Sequence, residues 1–148
     1  MVEVSFYHLI QMPLSRALPK LLEQSIKVGK KSVVRVGKAS RISSLSRSLW
    51  VYQDDGWLPH AKQDEDAKDN IIWLTAESNN PIEAEFLFAV EQASIESFED
   101  YERVFYLFDG TNDMALKDAR ALWKNLSNQD VRLSYWKQDD SGKWKKAS

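Results

Sequence analysis

Apolar and polar positions alternate through VEVSFYHL (Val2 to Leu9) and then become nearly continuous, the pattern of a strand that enters a core. Pro13 follows. At the first helical position a missing N–H does no harm, so a helix is expected to open there. Leu14, Leu18, Leu21, Leu22 and Val28 recur on one face at helical spacing. Pro19 interrupts the run, because a proline deep in a helix removes a hydrogen bond and crowds the preceding turn; it offers an alternative start. Gly29 ends the helix, and SVVRV (Ser32 to Val36) is a compact strand of branched residues. Ser40 is placed to cap a second helix carrying Ile42, Leu45 and Leu49. Strand, helix, strand, helix in this order implies an α/β fold with a parallel pair.

Leu49 to Asn70 is polar and acidic and reads as a loop, with Trp57 and Pro59 near its centre. Three strands are expected beyond it: IIWLT from Ile71, EFLFAV from Glu85 and RVFYLF from Arg103, with Asn79, Asn80 and Pro81 as a turn after the first. Asp109-Gly110 closes the third strand, and Thr111 is placed to cap a helix running through DARALWKNL (Asp118 to Leu126). From Gln129 or Asp130 the chain returns into VRLSYW, a strand of period two. DDSG (Asp139 to Gly142) then turns towards KWKK, a short edge strand or a trailing end. No repeat or low-complexity linker divides the sequence, so residues 1–148 are expected to form a single domain.

Composition narrows the class. With 43% hydrophobic and 28% charged residues the chain is globular rather than disordered. No basic segment precedes an apolar stretch at the N-terminus, and no eighteen apolar residues run together. A cytoplasmic location without membrane contact is expected by elimination. The absence of cysteine excludes disulfides, thiol nucleophiles and zinc-thiolate sites. The net charge of −2 conceals a division: residues 1–50 balance at +7, residues 51–116 at −13 and residues 117–148 at +4. Tight duplex binding is disfavoured in an acidic protein, since that affinity comes mostly from neutralised phosphates. A local basic pocket for an acidic peptide remains open.

The enzyme readings are weak. The turn from His8 to Pro13 has no glycine to bring phosphate against backbone N–H groups. VGKAS (Val36 to Ser40) superficially resembles a phosphate loop, but Ala39 replaces the magnesium-binding hydroxyl and Ser32 replaces the leading glycine. No deep pocket at the strand ends is expected. His8 reads as a hydrogen-bonded structural residue and His60 as positional. The run DEDAKD (Asp64 to Asp69) lacks the ligand spacing and central glycine of an EF-hand loop. No cofactor, metal or catalytic residue is assigned.

One helix is more informative. Lys117, Arg120 and Lys124 fall on one stripe, Trp123 sits at its edge, and Ala115, Ala119, Leu122 and Leu126 form another side. Two readings remain open: an ordinary amphipathic helix with Trp123 half-buried at the boundary, or a binding surface. In the second, a guanidinium grips a carboxylate with paired hydrogen bonds while the indole covers an apolar side chain. Such a surface suits a peptide that is acidic, ends in an apolar residue and bears a free terminal carboxylate.

Several motifs together, EVSFYHL, LW followed by WLPH, IIWLT with NNP, RVFYLFDG, AR..WK and LSYWKQDDSGKWKK, resemble the chi subunit of bacterial DNA polymerase III from Glu3 to Lys146. The resemblance implies a mixed, largely parallel open sheet flanked by helices, Rossmann-like but without a phosphate-binding loop. It also implies an accessory subunit without catalysis, associated with the clamp loader and a monomer outside the complex. Family members bind the acidic, apolar-ended C-terminal tail of single-stranded DNA-binding protein and, on another surface, the psi subunit. A helicase is a further partner to consider, and DNA is engaged only indirectly. Carried onto this sequence, Arg120 takes the tail carboxylate, Trp123 walls the apolar pocket, and Lys124 and Lys117 form its basic rim. Trp50, Trp57, Leu58 and Pro59 fall towards the psi side, although Trp57 could equally fold back on the core. The rival readings are a small-molecule or nucleotide-binding enzyme on the same scaffold and a direct binder of single-stranded nucleic acid.

Overall fold

A computed structural model of the chain describes residues 1–10, 12–50, 60–62, 70–141 and 143–147. The alternating N-terminal segment forms β1 (Val2–Leu9), and α1 (Leu14–Lys27), β2 (Ser32–Val36) and α2 (Ile42–Trp50) follow. Next come β3 (Ala61–Lys62), β4 (Ile72–Thr75), β5 (Phe86–Val90) and β6 (Arg103–Asp109), then α3 (Asp113–Leu126), β7 (Val131–Gln138) and β8 (Trp144–Lys146). The strands form an open eight-stranded sheet in the order β3-β4-β2-β5-β6-β1-β7-β8. Every pair is parallel except the β7–β8 hairpin. This is the expected α/β class, and β3 is a strand that the loop reading of residues 49–70 missed.

Alternation along β1 divides the core. Val4 and Phe6 point to one face, where Ala115, Ala119 and Leu126 of α3 join Ile82, Ile95, Phe98 and Tyr101 from the connections around β5. Tyr7 and Leu9 point to the other face, beneath Leu18, Leu21 and Leu22 of α1 and Ile42, Leu45 and Leu49 of α2. Covered on both faces, the inner strands are apolar almost throughout, as a parallel sheet requires. Arg35 on β2 departs from that rule. It is 3% exposed, and its Nη1 donates to the carbonyls of Ser94 and Glu96 at 2.9 and 2.8 Å, tying the segment after β5 to the sheet.

Several local expectations need correction. α1 starts at Leu14 with Pro13 as its N-cap, so Pro19 lies inside the helix, where its buried ring packs into the core. Val28 is not part of the apolar face. It is the C-cap residue and 66% exposed, since the chain leaves the helix there. Gly29, at φ +77°, donates to the Ile26 carbonyl while Lys30 donates to that of Ser25, the paired bonds of a Schellman ending. Ser40 does not cap α2 but lies within a 3₁₀ turn, Ala39–Arg41, that precedes it. Thr111 does not cap α3. Its N–H and hydroxyl bind Asp109 Oδ1 at 2.9 and 2.6 Å, and Asn112 caps instead, accepting from the Ala115 N–H at 2.9 Å.

Candidate protein-binding site

α3 packs on the sheet through Ala115, Ala119 and Leu126, with Leu122 half-buried beside them. This docking directs Leu116, Ala119, Arg120 and Trp123 towards the ends of β1 and β7. With His8, Tyr135, Lys137 and Ala147 they line a cleft of about 520 Å³. The helical stripe that forms the wall is therefore 116, 119, 120 and 123, at i, i+3, i+4 and i+7. It is not the stripe of Lys117, Arg120 and Lys124. The two lysines are exposed on α3 but do not line the cleft.

Trp123 is half-buried, its indole edge-on to Phe6 at 5.2 Å and to Tyr135 at 5.8 Å between ring centroids. The indole is thus seated on the core yet still borders the cleft. Arg120 is exposed, and among the described residues it makes no hydrogen bond or ion pair. An unpaired guanidinium beside an apolar hollow can offer a carboxylate two parallel hydrogen bonds at little cost in broken contacts.

The floor of the cleft was not visible in the helix pattern. His8 Nδ1 lies 2.6 Å from the Tyr135 hydroxyl, and its ring packs against Phe108 at 5.0 Å. Burial, with Lys137 and Arg120 nearby, holds the His8 pKa below its ordinary value, partly opposed by Asp109. Burial raises that of Tyr135 despite Arg120. At neutral pH the pair is an uncharged imidazole and a neutral phenol, leaving Arg120 and Lys137 as the cleft's charges. His8 is the hydrogen-bonded residue anticipated, but it also borders the site. Lys137, two residues after Tyr135 on one strand face, was detectable from the period-two pattern of β7. The pairing that brings it beside α3 was not.

Other candidates separate from this cleft. His60 is buried, with Nε2 2.7 Å from Ser46 Oγ. Trp57, Leu58, Pro59 and the DEDAKD run lie outside the described residues, and of Trp50 only the backbone at the end of α2 is described. A hollow of about 400 Å³ opens at the carboxyl ends of β1, β5 and β6, between the starts of α1 and α3. Among the described residues its walls include Glu91, Asp109, Thr111 and Asn112 but no lysine or arginine, which suits a phosphate poorly. Among the described residues no His, Cys, Asp and Glu cluster could hold a metal ion, and no helix is long and apolar enough to cross a membrane.

The structure is an open, largely parallel α/β sheet with a cation and an indole bordering a hollow of about 520 Å³. The chain belongs to the DNA polymerase III chi subunit (HolC) family, whose model matches residues 1–134. It is similar to the "Probable DNA polymerase III subunit chi" of Rickettsia prowazekii (strain Madrid E), 25% identical over 152 residues that span 99% of this chain and 92% of that relative. The family is one of polymerase accessory subunits, and membership supports an accessory role in replication.

Proposed function

We propose that the cleft between α3 and β7 receives the C-terminal end of the single-stranded DNA-binding protein tail, linking the replication machinery to coated single-stranded DNA. The observation that carries this reading is Arg120, exposed and without a partner among the described residues, beside an apolar hollow walled by Trp123 and Leu116. The guanidinium takes the terminal carboxylate, the last apolar side chain enters the hollow against the indole, and Lys137 adds a second positive charge. Lys117 and Lys124, set back on α3, attract the acidic upstream segment and govern association rate and salt dependence more than affinity. A psi subunit is proposed to dock on the side of Trp50, Trp57, Leu58 and Pro59, joining the protein to the clamp loader, and a helicase is a further candidate partner. In this reading the protein has no catalytic activity or cofactor of its own, is monomeric outside the complex, works in the cytoplasm and meets DNA indirectly.

Arg120→Ala removes a charge-assisted contact, which costs roughly 1.5 to 3 kcal/mol, or about ten- to hundredfold in affinity. Titrating a synthetic tail peptide against the wild type and the variant measures this, and equal affinities would eliminate the anchor. The hollow at the ends of β1, β5 and β6 gives the nucleotide-enzyme alternative a place, but its acidic walls argue against it. Thermal shift with nucleotides is expected to be flat.

A further inference from the structure

The geometry points to a second element of this site, resting on the tail reading above: the free edge of β8 adds the acidic segment upstream of the tail's end as a further β-strand. β8 is the last strand of the sheet, paired antiparallel with β7 and with nothing beyond it among the described residues. In an antiparallel ladder directly opposed residues alternate between bonded and non-bonded pairs. Ala147 N–H donates to Tyr135 O at 2.7 Å and Asp139 N–H to Lys143 O at 2.8 Å. These mark Lys143, Lys145 and Ala147 as the residues whose backbone groups face β7. The N–H and C=O of Trp144 and Lys146 therefore face outward, a short ladder that an extended peptide can complete.

Position and charge favour an acidic occupant. Ala147 lines the Arg120–Trp123 cleft, so the β8 edge continues directly from it. Lys137 and Lys145 stand opposite one another across the hairpin, an arrangement of like charges that disfavours the sheet until an anion comes alongside. Lys145 reaches Asp139 at 3.7 Å, and Lys137 makes no ion pair among the described residues. Lys143 shares the Lys145 side of the strand by its period of two, while Trp144 turns to the opposite face, edge-on to Tyr7 at 5.0 Å. An acidic chain with its carboxyl end towards Ala147 would place alternate carboxylates beside Lys143 and Lys145, with Lys137 one strand further in.

The experiment is a backbone N-methyl scan of a synthetic acidic tail peptide, titrated against the intact protein alongside the unmodified and the C-terminally amidated peptides. An added strand uses only every second peptide N–H, so methylation should weaken binding about three- to tenfold at alternate upstream positions and little between them. On the protein side, Lys146→Pro removes an outward N–H that β7 does not use, a place where an edge strand tolerates proline. It should weaken binding similarly, whereas Lys146→Ala should not. Flat upstream methylation with amidation still harmful would overturn the strand and leave the cleft reading intact. Indifference to amidation and methylation alike would remove both. A uniform loss at every methylated position would also count against the strand, because it lacks the period of two.

Discussion

A neutral imidazole set between two cations fixes how His8 responds to pH. Its pKa is lowered by burial first and then by Lys137 and Arg120, while Asp109 pulls the other way and the Tyr135 hydroxyl binds Nδ1. The unfolded chain therefore takes up a proton before the native one does. The stability this residue contributes is complete above about pH 6.5 and falls away as pH drops from there through the native value. A carboxylate arriving at Arg120 offsets part of the positive field, so binding should raise the His8 pKa. Following the imidazole resonances by NMR, free and with saturating tail peptide, should give a midpoint below 6.5 that climbs on binding; an unchanged midpoint would place the peptide elsewhere. Gly110 belongs to the same arrangement. A Cβ there would overlap the His8 ring, so the glycine of Asp109-Gly110 gives room to the cleft floor as well as a turn.

At the level of elements, the β7–β8 hairpin depends on one side chain. Asp139 Oδ1 accepts from the Ser141 N–H at 2.9 Å, the Ser141 hydroxyl at 2.7 Å and the Lys143 N–H at 3.0 Å. These bonds hold its pKa down at about 2, so the turn keeps its carboxylate acceptor through the usual acid range and loses it only as pH falls through that value. Asp139→Ala should loosen β8 while leaving β1, β6 and α3 ordered. Faster amide exchange at Lys145 and Ala147, with unchanged protection in β1, would show it. The turn was legible because DDSG is a local signal; whether KWKK forms an edge strand or trails off was not, because its pairing with β7 decides it. The strands of the inner sheet were legible from local signals as well, with β2 recovered at its observed bounds. Cap identity was not: Thr111 and Asn112 both qualify chemically, and only the Asp109 carboxylate decides which is free. The cleft was half legible. Arg120 and Trp123 share a helix, so their proximity follows from its pitch, but His8, Tyr135 and Lys137 join them through strand pairing across more than a hundred residues.

Across the whole molecule, the uneven charge seen along the chain becomes an uneven surface. The stretch from Lys117 onward, at +4, builds α3, β7 and β8 at one edge of the sheet, while the acidic middle of the chain supplies β4, β5 and β6. An acidic tail meets attraction at that edge, as it does along the +7 segment of residues 1–50, and repulsion from the acidic middle of the chain. The field alone therefore narrows the approach, and the Arg120–Trp123 cleft has to select the site. The central claim is narrower than that field, namely that the Arg120 guanidinium grips a terminal carboxylate. A double-mutant cycle tests it most directly, pairing Arg120→Ala with amidation of the tail peptide and measuring all four affinities by calorimetry. The account predicts strong coupling, with amidation weakening wild-type binding about ten- to hundredfold and having almost no further effect on the variant. Two independent, additive losses would mean that the two groups never meet, and would contradict it.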